Sequence, residues 1–258
     1  MNRKLRLDFY VVLGIIFISI PIILYFQVRP LTSALFFFII PTTYLFYRKR
    51  KPVKEVLLGS LLIGSGFGLI FNIIASANKA WDEISSQLVF DYRIFGFMPA
   101  DEPIWFFFWA LFIISFYEHF YERDRKDRLS KRFKYIAIPT FMAVLAIITV
   151  AILDKSKLLL NHAYFYSLAP AIIPIVYVVK NRPNLIMKFI KTGVFFFMLF
   201  LIYELTAVKL GQWYFPGQYI GWVELMGLRF PFEELLFWMG LSSFIVLAIY
   251  EGFVDNGK

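Results

Sequence analysis

The chain has no cysteine and only two histidines, His119 and His162, in 258 residues. Without a thiol there is no cysteine nucleophile and no disulfide framework. The two histidines are predicted near opposite membrane faces, which excludes a His-based zinc centre and a Ser-His-Asp arrangement. Phosphate loops and the G-x-G-x-x-G dinucleotide fingerprint are missing too. Gly64-Ser65-Gly66-Phe67-Gly68 falls inside an apolar run and reads as small-residue helix packing. Bound FAD or NAD is therefore not expected, and neither is any other cofactor or metal. An aspartate-rich diphosphate-binding motif is also lacking. Charged residues make up only 17% of the chain.

What is present is apolar. Hydrophobic residues form 60% of the chain, 32 of them Phe, and mean hydropathy is +0.67. A soluble domain is about 45–50% apolar, and a core of this size cannot hide the excess from water. A helix needs about 20 apolar residues to cross a bilayer. Runs bounded by charge and proline predict eight spans, at 9–26, 31–47, 54–77, 103–121, 133–153, 158–179, 185–207 and 233–253. The fold class is an all-α integral membrane protein. The second span is short and is expected to be tilted or partly re-entrant. Whether the stretches 82–99 and 214–230 dip back into the membrane stays open. The run ending at Phe26 has no small-residue cleavage site and reads as a first span.

The net charge of +9 is a topology signal. Twenty of the 27 Lys and Arg fall on the N-terminus, the 48–54 loop, the 122–134 loop, the 180–191 stretch and the C-terminus. Only seven fall on the alternate loops. Both termini are thus expected in the cytoplasm, with the chain in the cytoplasmic membrane and no nucleic-acid partner. The charged run Tyr121-Glu122-Arg123-Asp124-Arg125-Lys126-Asp127-Arg128 reads as a solvated linker between two halves.

Those halves are related. Ile39-Ile40-Pro41-Thr42-Thr43-Tyr44 returns as Ile172-Ile173-Pro174-Ile175-Val176-Tyr177, 133 residues on. Trp81 and Pro99 return as Trp213 and Pro231, each 132 residues on. Asp101-Glu102 then matches Glu233-Glu234, and Tyr117-Glu118 matches Tyr250-Glu251. Two tandem four-helix repeats follow, 1–125 and 126–258, in parallel orientation with a pseudo-twofold axis along the membrane normal.

The acids outside the cytoplasmic loops cluster at the starts of spans four and eight. Asp101 and Glu102 precede Trp105, Phe106 and Phe107, and Glu233 and Glu234 precede Phe237 and Trp238. A first-turn acid satisfies free N–H groups and the helix dipole. Two symmetric pairs among aromatics point further, to general acid catalysis beside ring faces that stabilise a cation. Glu204, within span seven, faces either the bundle interior or the interface; its repeat partner is Asn72. Glu-Glu intramembrane proteases are excluded, because Trp238 stands where they need Arg and no later histidine follows.

Trp81, Arg93-Ile94, Gly96 and Pro99 through Phe107 make up one half of a pattern, and Trp213-Tyr214, Gly227 and Pro231 through Trp238 the other. This arrangement resembles the lycopene cyclase domain family, whose hallmark is Pro-x-Glu-Glu-x-x-Phe-Phe in each of two tandem halves. The first half departs from it in Asp101, Pro103 and Trp105, so the second half is the closer match. The resemblance implies cofactor-free, non-redox closure of the linear ψ-ends of lycopene, or a related linear carotenoid, to β-ionone rings. Glu233 and Glu234 are then the acid/base candidates, with Asp101 and Glu102 as the second pair. Trp81, Trp105, Phe106, Phe107, Glu204, Trp213, Phe237 and Trp238 are the candidate substrate-binding residues. Membrane lipid is the other expected partner; oligomeric state and ring type stay open. The alternatives are a carotenoid-binding or transport protein without catalysis, and a cyclase of a longer or hydroxylated carotenoid.

Overall fold

A computed structural model describes residues 3–48, 52–122 and 129–255. It contains eight helices long and apolar enough to cross a membrane: α1 (Arg3–Phe26), α2 (Pro30–Arg48), α3 (Val53–Ala77), α4 (Glu102–Phe120), α5 (Phe133–Leu153), α6 (Ala163–Asn181), α7 (Pro183–Leu210) and α8 (Glu234–Val254). Six short strands join them as antiparallel pairs. They are β1 (Asp82–Glu83), β2 (Arg93–Ile94), β3 (Met98–Pro99), β4 (Trp213–Tyr214), β5 (Trp222–Leu225) and β6 (Leu228–Pro231). Most of the charged run, 123–128, and with it the expected boundary after residue 125, lies outside the described residues.

The most apolar helices are not the most buried ones, as suits a bilayer. α1 and α5 are the most apolar helices, yet only 22% and 11% of their central windows are buried. α4 and α8 carry acids and are the most enclosed, at 61% and 67%. Lipid solvates apolar side chains at no cost, so polar groups are the ones that must find partners inside. The centre of the bundle is aromatic, with Phe112, Phe116, Phe196 and Phe200 fully buried between α4 and α7.

Glycine sets the approach of α3 to α4. A Cβ on Gly64 would sit 2.4 Å from the Phe106 carbonyl oxygen, so only a bare Cα fits there. π-Helical turns at Leu61–Phe67 and Glu234–Leu241 widen α3 and α8 where they face each other's neighbours, a distortion frequent at functional sites. At the far ends of α4 and α8, Tyr117 donates to Glu251 (2.5 Å) and Tyr250 donates to Glu118 (2.8 Å). Nearby, Asp8 accepts from Arg48 (2.6 Å) and Tyr44 (2.9 Å) and pairs with His119 (2.9 Å).

Helix boundaries match the expected spans to within three residues except at two starts: α1 begins at Arg3 instead of 9, and α6 at Ala163 instead of 158. Asp154 caps a 3₁₀ turn over Lys155–Leu158, and His162 adopts a left-handed backbone, φ 51°. Asn78 holds this chain out of the helix, donating to the Leu158 carbonyl and accepting the Leu160 N–H, both at 2.7 Å. α2 is a continuous helix through a π turn at Leu35–Ile39. The 82–99 and 214–230 stretches form hairpins. Phe95-Gly96 and Met226-Gly227 take positive φ at both turn positions, the geometry that suits a tight hairpin. β1 pairs with β4, setting Glu83 opposite Trp213 and joining the two loop regions.

Candidate functional site

Beneath the β1–β4 pair lies a cavity of about 320 Å³ between α3, α4, α6, α7 and α8. Its mouth region carries four carboxyl groups, from Glu83, Glu102, Glu204 and Glu234, each buried. They arrive from four different elements: β1, the first residue of α4, the C-terminal part of α7 and the first residue of α8. Away from them the lining turns mostly apolar, through Phe67 and Ile63 on α3 to Ile245 and Ile249 on α8, and the Ser242 hydroxyl there donates to the Trp238 carbonyl. Glu234 and Ile249 are separated by about 20 Å along a helix. The cavity thus has a mostly apolar lining and a cluster of carboxyls at the helix-start end.

Hydrogen-bond donors are distributed unevenly over the four acids. Trp81 donates its indole N–H to Glu102 Oε1 (2.6 Å), and Ser76 approaches Oε2 (3.4 Å) while also donating to Asn72 (3.0 Å). Trp213 donates to Glu204 Oε1 (3.0 Å). Tyr164 lies against Glu234. Glu83 Oε2 is buried with no hydrogen-bond partner. Burial, and then the charge of Glu102, push the Glu83 carboxyl well above the usual carboxylate range. Two loop tryptophans therefore each clamp a cavity acid, but Trp81 holds the α4 acid and Trp213 the α7 acid.

The aromatic walls are continuous. Trp238 stacks on Phe200 at 4.1 Å and 23°, and its ring lies 4.9 Å from Trp105 and 5.9 Å from Trp109. Trp105 is fixed by donating to the Tyr203 hydroxyl (2.8 Å). Phe237 stacks against Tyr164 at 6.5 Å, and Phe106 meets Phe71 edge-on at 6.2 Å.

Among the expected site residues, Trp81, Glu102, Trp105, Phe106, Glu204, Trp213, Glu234, Phe237 and Trp238 all line the cavity. Three others do not. Asp101 turns to the preceding loop and accepts the Val89 and Phe90 backbone N–H groups (2.7 and 2.9 Å). Glu233 likewise accepts the Ile220 N–H (2.8 Å). The first acid of each pair is a strut for its hairpin because successive residues of a helix start point about 100° apart. Phe107 meets the Phe108 ring at 6.0 Å and is absent from the cavity lining. Glu83, Trp109 and Tyr164 line the cavity without having been singled out from the sequence. Glu83 carried a weak signal, two residues after the repeated Trp81; Tyr164 carried none. Among the described residues no group of three or more His, Cys, Asp or Glu is arranged to hold a metal ion.

Fold and cavity together define a class: a helical protein built for a membrane, with a buried acid cluster at one end of a mostly apolar cavity. The chain matches no protein-family model, no curated protein and no solved structure. Its chemistry has to be argued from this geometry.

Proposed function

We propose that this protein is a membrane-embedded carotenoid cyclase that closes the linear ψ-end of lycopene, or of a related linear carotenoid, to a β-ionone ring. The observation that carries the reading is the cavity itself, which joins a mostly apolar lining to several carboxyls and closely packed indoles. The end group of a linear hydrocarbon entering this cavity would lie among the acids. Protonation of its terminal double bond gives a tertiary cation, ring closure moves the charge, and loss of a proton restores an alkene. The step is an isomerisation, so neither flavin nor nicotinamide is required. Trp105, Trp109 and Trp238 offer ring faces to the cation, an attraction of about 2 kcal/mol or more when desolvated.

The tandem-repeat reading belongs with this proposal. Its support is the exchange between Tyr117-Glu118 and Tyr250-Glu251, where each tyrosine donates to the other pair's glutamate as a twofold axis requires. The loop distribution of Lys and Arg supports cytoplasmic termini, with the acids toward the outer leaflet.

The test is expression in a lycopene-accumulating host, with pigments separated chromatographically. Cyclic product supports the reading. Unchanged lycopene with tight carotenoid binding by the purified protein favours a binding or transport role. A strict need for reduced flavin would sink the cofactor-free scheme. In deuterated water, protonation by an exchangeable carboxyl is expected to leave about one deuterium per ring formed.

A further inference from the structure

We propose that Glu83, supplied by strand β1 and outside both acidic motifs, is the proton donor of this cavity, with Glu102 beside it as the acceptor. The inference rests on the cyclase reading and goes beyond its motif residues. Geometry separates the two carboxyls. Glu102 receives an indole N–H from Trp81 and faces the Ser76 hydroxyl, and donors of that kind stabilise a carboxylate. Glu83 lines the same cavity, is 7% exposed, and has an oxygen with no partner at all. A buried carboxyl short of donors is the one that holds its proton, because the charged form suffers far more than the neutral one from missing partners. The charged and titratable groups around it are Asp82, Arg93, Asp101, Glu102 and Tyr203. Arg93 is engaged elsewhere, in an ion pair with Asp82 (2.9 Å) and in hydrogen bonds to the backbone carbonyls of Glu83 (2.6 Å) and Phe97 (3.1 Å).

In the proposed step the Glu83 O–H bond breaks and its proton forms a C–H bond at the terminal alkene. That alkene's electron pair makes the new bond and leaves a tertiary cation. A second double bond of the chain attacks it, closing the ring carbon–carbon bond. Glu102 removes a proton next to the resulting cation, and the C–H electron pair becomes the ring double bond. Substrate gains one proton and loses one, so no oxidant or reductant enters. Passage of the proton from Glu102 back to the neighbouring Glu83 resets the site. Glu204 and Glu234, from α7 and α8, are left to face the cation.

The test uses the full-length protein in lipid nanodiscs with lycopene as substrate, comparing wild type, Glu83→Gln and Glu83→Asp. Glu83→Gln is expected to lose about 10²–10⁴-fold in cyclisation rate at equal folded yield. Glu83→Asp keeps an acid but displaces it, and is expected to lose about ten- to a hundredfold. Its alkaline activity limb should also move to lower pH, following the ordinary order of Asp below Glu. A Glu83→Gln rate within threefold of wild type overturns the assignment while leaving the cyclase reading intact. If Glu83→Gln fails to accumulate as folded protein, the Asp variant decides: a shifted limb supports a donor and an unshifted limb overturns it. A wild type that makes no ring product overturns both readings.

Discussion

Adjacent residues at the two helix starts divide the labour. Glu102 and Glu234 face the cavity, whereas Asp101 and Glu233 hold loop N–H groups. Removing the first kind is expected to stop chemistry, and removing the second to loosen the hairpins. Glu234→Gln should abolish ring formation in lycopene-accumulating cells, a loss of about 10²-fold or more, while the protein still inserts. Asp101→Ala leaves the Val89 and Phe90 N–H groups unpaired, at a cost of about 1–3 kcal/mol. Thermal unfolding in detergent should register that loss, with cyclisation by the folded fraction within about tenfold of wild type. Sequence placed both acids of each pair at a helix start, and it did so correctly. It had no means of telling which of the two pointed inward, since that depends on the helix phase set by packing.

At the level of elements, the contacts between α3, α4 and α8 hold the cavity open. Gly64→Ala puts a methyl into the Phe106 carbonyl and must push α3 from α4. Overpacking of that kind costs about 1–3 kcal/mol, and the cavity wall carried by Phe106 should shift with it. Gly14→Ala on α1 is the control, because nothing lies within 4 Å of a Cβ there. Detergent melting curves should show the first variant destabilised and the second unchanged or slightly stabilised. Tyr250→Phe takes the hydroxyl donor from Glu118 across the α4–α8 contact, with an expected cost of about 1–3 kcal/mol. Span positions were legible because hydrophobic runs must match bilayer thickness. The late start of α6 was not, since Leu158-Leu159-Leu160 is as apolar as a helix start. Asn78, far away in sequence, satisfies the backbone groups there instead.

For the whole molecule, the hairpins and the acidic mouth lie at one end of the bundle, and the Tyr117–Glu251 and Tyr250–Glu118 pairs lie toward the other. Reporter fusions are expected to place residue 258 in the cytoplasm and an insertion at the Met226-Gly227 turn outside. A cytoplasmic signal from the hairpin insertion would invert the proposed topology. Separately expressed halves should be inactive alone, because β1 pairs with β4 and the four cavity acids come from both sides of the 125/126 boundary. Co-expression of the halves should restore cyclisation if the interface re-forms.

By itself the sequence determined the eight spans and three of the four cavity acids, Glu102, Glu204 and Glu234. Scarcity of charge and an excess of Phe leave no option but lipid, and each acid kept inside that setting stands out. Tertiary structure alone decided that four carboxyls from separate elements share one cavity, that Glu83 joins them, and that Asp101, Glu233 and Phe107 do not. Convergence of this kind arises from strand pairing and helix phase between segments more than a hundred residues apart. A motif of eight residues carries no record of either.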